Sequence, residues 1–298
     1  MFNLSRTQWI ALILAGLWFT IFLNQANPFD LIAEFGGFTL LGIIGAIFAN
    51  ATGAGGGVVF VPFFNQLGFT PENIIGTSLG IQCCGMTAGA LTWWKFFRSQ
   101  QPDQDHWQAL PKALLICVPT SILGLMTVQY AQDNISILHQ INQRTDLLHL
   151  GFGGFSILLG VAIFASVPLL NRSKNTIELA GIDKVSLALV SYLGGMITAW
   201  LSVGVGELVA VYLIIRGFNV TMSIAVAVIL TAFSVWSGIV YHALLLDSVI
   251  WPIVLFAGMG AIIGGTLAKH VVLAFSPSKL KIFFGTWVLL LGVVSLPI

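Results

Sequence analysis

The chain has 298 residues, 57% of them hydrophobic and only 8% charged, with a formal net charge of +1. Soluble domains carry about 25% charged residues, so this composition excludes a soluble globular fold, and the near-neutral balance offers no basic face to nucleic acid. Charge-free runs such as 113–132 and 185–206 are long enough to cross a bilayer as helices, and the short alternating segments of a β-barrel are missing. An all-α polytopic membrane protein is the expected class, with the lipid bilayer as its solvent.

Apolar segments are predicted at 8–24, 36–67, 73–94, 113–130, 150–170, 185–216, 218–242, 248–268 and 280–297. The first follows Arg6 and lacks a small-residue cleavage pattern, so it reads as a retained N-terminal helix within a unit 1–34. Segments 36–67 and 185–216 are too long for one crossing. Each is interrupted by glycine, the first at Gly53–Gly57 and the second at Gly204 and Gly206. Glycine is a poor helix former, so both breaks predict unwound backbone.

The two interrupted segments are related. A shift of 149 residues carries Gly45 onto Gly194, Gly55 onto Gly204, Gly57 onto Gly206, and Gly68-Phe69 onto Gly217-Phe218. The reading is a degenerate duplication. A first repeat (35–170) holds hairpin 36–67 and three spans. A linker (171–184) leads to a second repeat (185–298), with hairpin 185–216 and three spans.

Lysine and arginine favour the cytoplasmic side. If each interrupted segment returns to the side it entered from, Arg144 is the one basic residue among the 12 that falls outside. If each segment crossed once, Lys95, Arg98, Lys112, Arg172, Lys174 and Lys184 would move outside and the bias would vanish. The second arms, 57–67 and 206–216, are about 16 Å of helix, against a hydrocarbon core of about 30 Å. Re-entrant hairpins reaching mid-membrane fit best, one from each face, which makes the repeats inverted. The N-terminus is then cytoplasmic, the linker 171–184 is cytoplasmic, and the C-terminus is outside. Inverted repeats with broken helices are a recurring plan of secondary transporters.

At each tip the second arm begins with an exposed helix N-terminus, whose N–H groups and positive dipole end attract anions. Gly53, Gly55, Gly56 and Gly57 permit close approach to the backbone, and Asn50 and Thr52 add side-chain donors. Ser202, Gly204 and Gly206 hold comparable positions opposite. Two facing tips would form a largely neutral site for a small anionic substrate. The competing reading is that these glycines serve only close helix packing.

Thr77 and Ser78 follow on the next span and either line the same cavity or bond back to their own helix. Thr231 and Ser234 lie on the analogous later span. Glu207 is the one acidic residue placed within the membrane. It is either a capping carboxylate or a proton carrier for coupling. Arg216 is expected to snorkel to headgroups, and His242 to sit in a solvated turn near Asp247. Trp9, Trp18, Trp93, Trp94, Trp107 and Trp251 lie mostly near segment ends, as an interfacial belt would. Cys83, Cys84 and Cys117 read as small apolar packing residues. No metal spacing or catalytic motif is present, so neither cofactor nor enzymatic activity is expected; Cys83, Cys84, Ser78 and His242 are the only candidates for an intramembrane enzyme.

The glycine cluster Gly53–Gly57, then Pro62, Gly68 and Ile75-Gly76-Thr77-Ser78-Leu79, resembles the first-repeat signature of the TauE/SafE family of sulfite-exporter-like permeases. The resemblance implies secondary transport of sulfite or an organosulfonate, usually as export, across a bacterial inner membrane. The second repeat departs from the pattern: Val211 stands opposite Pro62, and Val226-Ala227 opposite the Thr-Ser pair. An uncoupled anion channel or facilitator is the alternative. Oligomeric state is open.

Overall fold

The computed structural model describes residues 16–25, 27–100, 105–131, 145–168 and 176–294. Among these, all regular structure is helical. Helix α1 is described over 16–23. It is followed by α2 (Pro28–Phe35), α3 (Phe38–Thr52), α4 (Gly57–Gln66), α5 (Pro71–Gln100), α6 (Ala109–Ala131) and α7 (Thr145–Ser166). The second half contains α8 (Gly181–Leu201), α9 (Val205–Ile215), α10 (Val220–Leu244), α11 (Trp251–Ala274) and α12 (Pro277–Val294).

Helix boundaries follow local chemistry. Pro71 opens α5, where its missing N–H costs nothing. The Asn219 side chain accepts the Met222 N–H and caps α10. The Asp183 carboxylate accepts the Ala180 N–H at 3.0 Å, so α8 starts at Gly181, inside the stretch expected to be linker. Gly36 and Gly37 separate α2 from α3, which meet at 54°.

Among the described residues, five helices are long and apolar enough to cross a membrane: 71–99, 105–131, 181–201, 220–244 and 251–274. The bent α2–α3 pair adds a sixth stretch of that kind. The protein is an integral membrane protein. Helices α4 and α9 have 10 and 11 residues, about 15–17 Å, and are too short to cross. Helix α8 has 21 residues, about 31 Å. The two arms of the second hairpin are therefore unequal in length.

The packing repeats itself. Helix α3 lies along α11, and its counterpart α8 lies along α6. Helices α5 and α10 pack on each other at the centre, as do α7 and α12 to one side. Exchanging the two halves maps every one of these contacts onto another or onto itself. Small residues make the close approaches possible. A Cβ added to Gly42 would fall on the Ala257 carbonyl, and one on Gly260 on the Thr39 carbonyl. At the matching interface, Gly124 faces the Tyr192 carbonyl and Gly195 the Ser121 carbonyl.

Some polar side chains inside the bundle pair across it. Ser121 and Ser234 hydroxyls lie 2.9 Å apart, and Gln129 donates to the Gly238 carbonyl at 3.0 Å. Helix α10 is buried over most of its length, with Phe233, Trp236 and Val240 exposed, and Leu115, Leu158 and Leu189 face outward on the helices around it.

Several sequence expectations change here. His242 is buried and its ring lies 3.1 Å from the Ser248 hydroxyl, so it is a packed group and not a solvated one. Trp93 and Trp107 are buried in the aromatic cluster with Phe96, away from any lipid-facing belt. Arg216 donates to Asp183 at 2.6 Å instead of pointing only to headgroups, and Tyr212 donates to the same carboxylate at 2.8 Å. This cluster clasps α8 to α9 at the open end of the second hairpin.

If backbone contact across α6 and α8 holds the halves together, Gly195→Ala destabilises the purified protein by about 1–3 kcal/mol. Gly181→Ala, which adds a methyl where nothing lies within 4 Å, leaves the melting temperature unchanged or higher. Thermal unfolding of both variants in detergent checks this.

Candidate functional site

Both hairpins turn through the same backbone device. Helix α3 ends at Gly53, with φ 81°, whose N–H bonds the Ala49 carbonyl. Helix α8 ends 149 residues later at Ser202, with φ 57°, whose N–H bonds the Thr198 carbonyl. Two residues on, Gly55 and Gly204 again have positive φ, 80° and 137°. The chain then enters α4 and α9, whose first-turn N–H groups must find partners outside their own helices. Ser202 is one of two described non-glycine residues at positive φ. A side chain there carries strain that Gly53 avoids.

The two tips touch. A Cβ on Gly206 would fall on the Gly53 carbonyl, and a Cβ on Gly57 would fall on the Ser202 carbonyl. The contacts are reciprocal under the 149-residue shift. Glycine at these two positions is required by close approach. All residues from Asn50 to Phe60 and from Leu201 to Glu207 are buried.

A side chain outside both hairpins joins them. Gln82, on α5, accepts the Gly56 N–H through Oε1 at 2.8 Å. Its Nε2 lies 3.0 Å from the Ser202 carbonyl, 2.8 Å from the Ser202 hydroxyl and 3.2 Å from the Ser78 hydroxyl. Ser202 in turn donates to Ser78 at 2.9 Å. One carboxamide thus binds the first tip and the second tip at once.

Sequence reasoning had singled out Ser78 but not Gln82. The signal was available, since Gln82 lies four residues on and shares the helix face of Ser78.

The other expected residues divide into two groups. Gly53, Gly55, Gly56, Gly57, Ser78, Ser202, Gly204 and Gly206 are brought together at the tips. Thr231 joins them: a Cβ on Gly206 would sit 2.5 Å from its Oγ1. Asn50 turns away, its amide donating to the Ala46 and Gly85 carbonyls on the side facing α5. The Thr52 hydroxyl donates to the Phe48 carbonyl and accepts the Ala54 N–H, so it closes the end of α3. Thr77 accepts the Ile250 N–H ahead of α11 at 3.0 Å and serves that loop.

Glu207 lies in the first turn of α9. Its Oε2 accepts the Gly204 N–H at 2.9 Å, while Oε1 is buried with no partner among the described residues. The Thr198 hydroxyl accepts the Val205 N–H at 3.0 Å. The Thr231 Oγ1 is also buried and unpartnered among the described residues. Buried polar atoms are ordinarily hydrogen-bonded; six side-chain atoms lack a partner among the described residues, and two of them, Glu207 Oε1 and Thr231 Oγ1, lie at the tips. No group of three His, Cys, Asp or Glu that would hold a metal occurs among the described residues.

A cavity of about 180 Å³ opens beside the start of α5, the ends of α6 and α10, and the last turn of α8. Glu72, Gln129, Trp200 and His242 line it. Trp200 stands two residues before the strained Ser202.

A family model described as sulfite exporter TauE/SafE matches residues 38–295 of the chain. No curated protein and no solved structure gives a match.

The Ser78–Ser202 bond bridges the two halves, so its loss is measurable. In a double-mutant cycle of Ser78→Ala and Ser202→Ala, the expected coupling is about 0.5–1.5 kcal/mol. Chemical denaturation of the four proteins gives the value; strict additivity would mean the hydroxyls do not interact.

Proposed function

The chain belongs to the TauE/SafE sulfite exporter family, and from that premise we propose that it exports sulfite or an organosulfonate by alternating access. The anion binds between the hairpin tips. The observation that carries this reading is the reciprocal backbone contact of Gly206 with Gly53 and of Gly57 with Ser202. It brings the N-termini of two helices, α4 and α9, to one buried place. Each offers N–H groups and the positive end of a helix dipole.

In this reading the repeats are inverted. The first hairpin opens to the outside and the second to the cytoplasm, and the C-terminus is outside. Packing that is unchanged when the halves are exchanged supports a rocking motion between two equivalent arrangements. The cavity beside α5, α6 and α10 lies on the outer side in this orientation and supplies an approach towards the end of α8.

Glu207 carries the coupling proton. Its carboxyl already bonds the Gly204 N–H at the second tip, and it keeps one oxygen free to exchange a proton. An ionised Glu207 competes with an anion for the positive end of α9. A protonated one does not. Loading therefore rises with proton supply on the side from which the anion loads, proton and anion cross together, and export is driven by the outward anion gradient.

Proteoliposome uptake of radiolabelled sulfite and sulfoacetate, with and without an imposed proton gradient, tests the proposal. Accumulation above the external concentration is the expected result. Equilibration without accumulation would instead favour an uncoupled facilitator. Glu207→Gln is expected to flatten the pH dependence of uptake while leaving the protein folded; unchanged pH dependence would remove the proton role.

Orientation is tested separately in a background with Cys83, Cys84 and Cys117 replaced by Ala. A membrane-impermeant thiol reagent is expected to label Asn65→Cys from outside and Lys112→Cys only from the cytoplasmic side.

A further inference from the structure

Under the 149-residue shift that relates the repeats, Gln82 on α5 corresponds to Thr231 on α10. Both face the tips, but they do different things. Gln82 is long enough to reach across, and every polar atom of its carboxamide is engaged: Oε1 by the Gly56 N–H, Nε2 by Ser202 and Ser78. Thr231 is too short to bridge anything. Its Oγ1 is buried, lies beside Gly206 and Gly53, and has no partner among the described residues. The tips are symmetric in backbone and asymmetric in the side chains that attend them.

We propose that Gln82 is a built-in surrogate for the anion and the latch of the empty carrier, and that the Thr231 hydroxyl is the ligand the anion gains when the latch is displaced. The inference rests on the anion site proposed above. The Gln82 carbonyl oxygen occupies the acceptor position on the Gly56 N–H that an oxyanion would take. Because Nε2 of the same group binds Ser202, the empty protein holds its two tips together with a neutral side chain. An arriving anion takes the Gly56 N–H, accepts from Thr231, and releases the carboxamide from both tips. The link from first tip to second then runs through the anion. Occupancy is thereby coupled to the freedom of the tips to separate.

The two Gln82 substitutions should act in opposite directions, which a merely structural residue would not produce. Gln82→Ala removes the internal competitor. The empty protein should melt at lower temperature, while its Kd for sulfite falls several-fold. Gln82→Glu keeps the size but holds a negative charge in the anion's place, and its Kd should rise at least tenfold. Thr231→Val removes a hydroxyl that has no internal partner. It should raise Kd about tenfold with no fall in melting temperature, because an unpaired buried hydroxyl stabilises nothing.

The experiment is a sulfite titration of the full-length proteins in detergent, read by thermal shift and by isothermal calorimetry. Gln82→Asn, too short to reach both tips, stands in for Gln82→Ala if that variant does not fold. Kd shifts of the same sign for both kinds of Gln82 variant, or an unchanged Kd in Thr231→Val, overturn the latch while leaving the transport reading intact. A wild-type protein that neither binds nor moves sulfite or sulfoacetate overturns the transport reading, and the latch with it.

Discussion

Backbone amides have no water to bond in the interior of a bilayer, and this constraint organises the molecule. A helix broken at membrane depth exposes N–H and C=O groups at a cost of several kcal/mol each unless protein supplies partners. This chain breaks two helices, at Gly53–Gly56 and at Ser202–Gly204. Each break is placed against the other, and the most versatile polar side chain nearby, Gln82, is spent on both. The glycines just past each break permit the contact, since a Cβ at Gly57 or Gly206 would fall on the opposing carbonyl.

Everything around the tips exists to hold them there. The long central helices α5 and α10 carry the attendant side chains: Ser78 and Gln82 on one, Thr231 on the other. The outer pairs, α3 with α11 and α6 with α8, are closed by backbone-to-backbone contact at Gly42, Gly260, Gly124 and Gly195. In the proposed rocking motion these pairs move as bodies. A pair of helices locked through carbonyl contacts cannot flex at each residue, so motion concentrates where the chain is already unwound. The clasp of Asp183 by Arg216 and Tyr212 fixes the open end of the second hairpin.

Much of this was legible in the residues. The membrane class followed from charge-free runs of helical length. The breaks followed from glycine clusters in segments too long for one crossing, and the relation between them from the 149-residue shift. The shift proved sharper in three dimensions than in sequence: it pairs Gly53 with Ser202, a match no residue identity reveals but which the shared left-handed backbone makes plain. What the sequence hid was direction. Asn50 and Thr77 have the right chemistry and the right neighbourhood, but their side chains leave the tips for α5 and for the loop before α11. Gln82 was hidden for the opposite reason. Four residues from Ser78 in an apolar helix, it is distinguished only by what lies across from it. Helix α8 starts inside the stretch 171–184 expected as linker, because Asp183 is an internal ligand for Ala180, Tyr212 and Arg216.

The central claim is that the two tips share one anion between them, deep in the membrane. The direct measurement is an experimental structure of the protein in lipid, at acid to neutral pH, soaked with selenite as a heavier analogue of sulfite and recorded at the selenium absorption edge. The account expects one strong anomalous peak between Gly56 and Gly206, within hydrogen-bond reach of the Thr231 hydroxyl, with the Gln82 oxygen gone from the Gly56 amide. Selenium bound only elsewhere, with the Gln82 bridge intact, would contradict it.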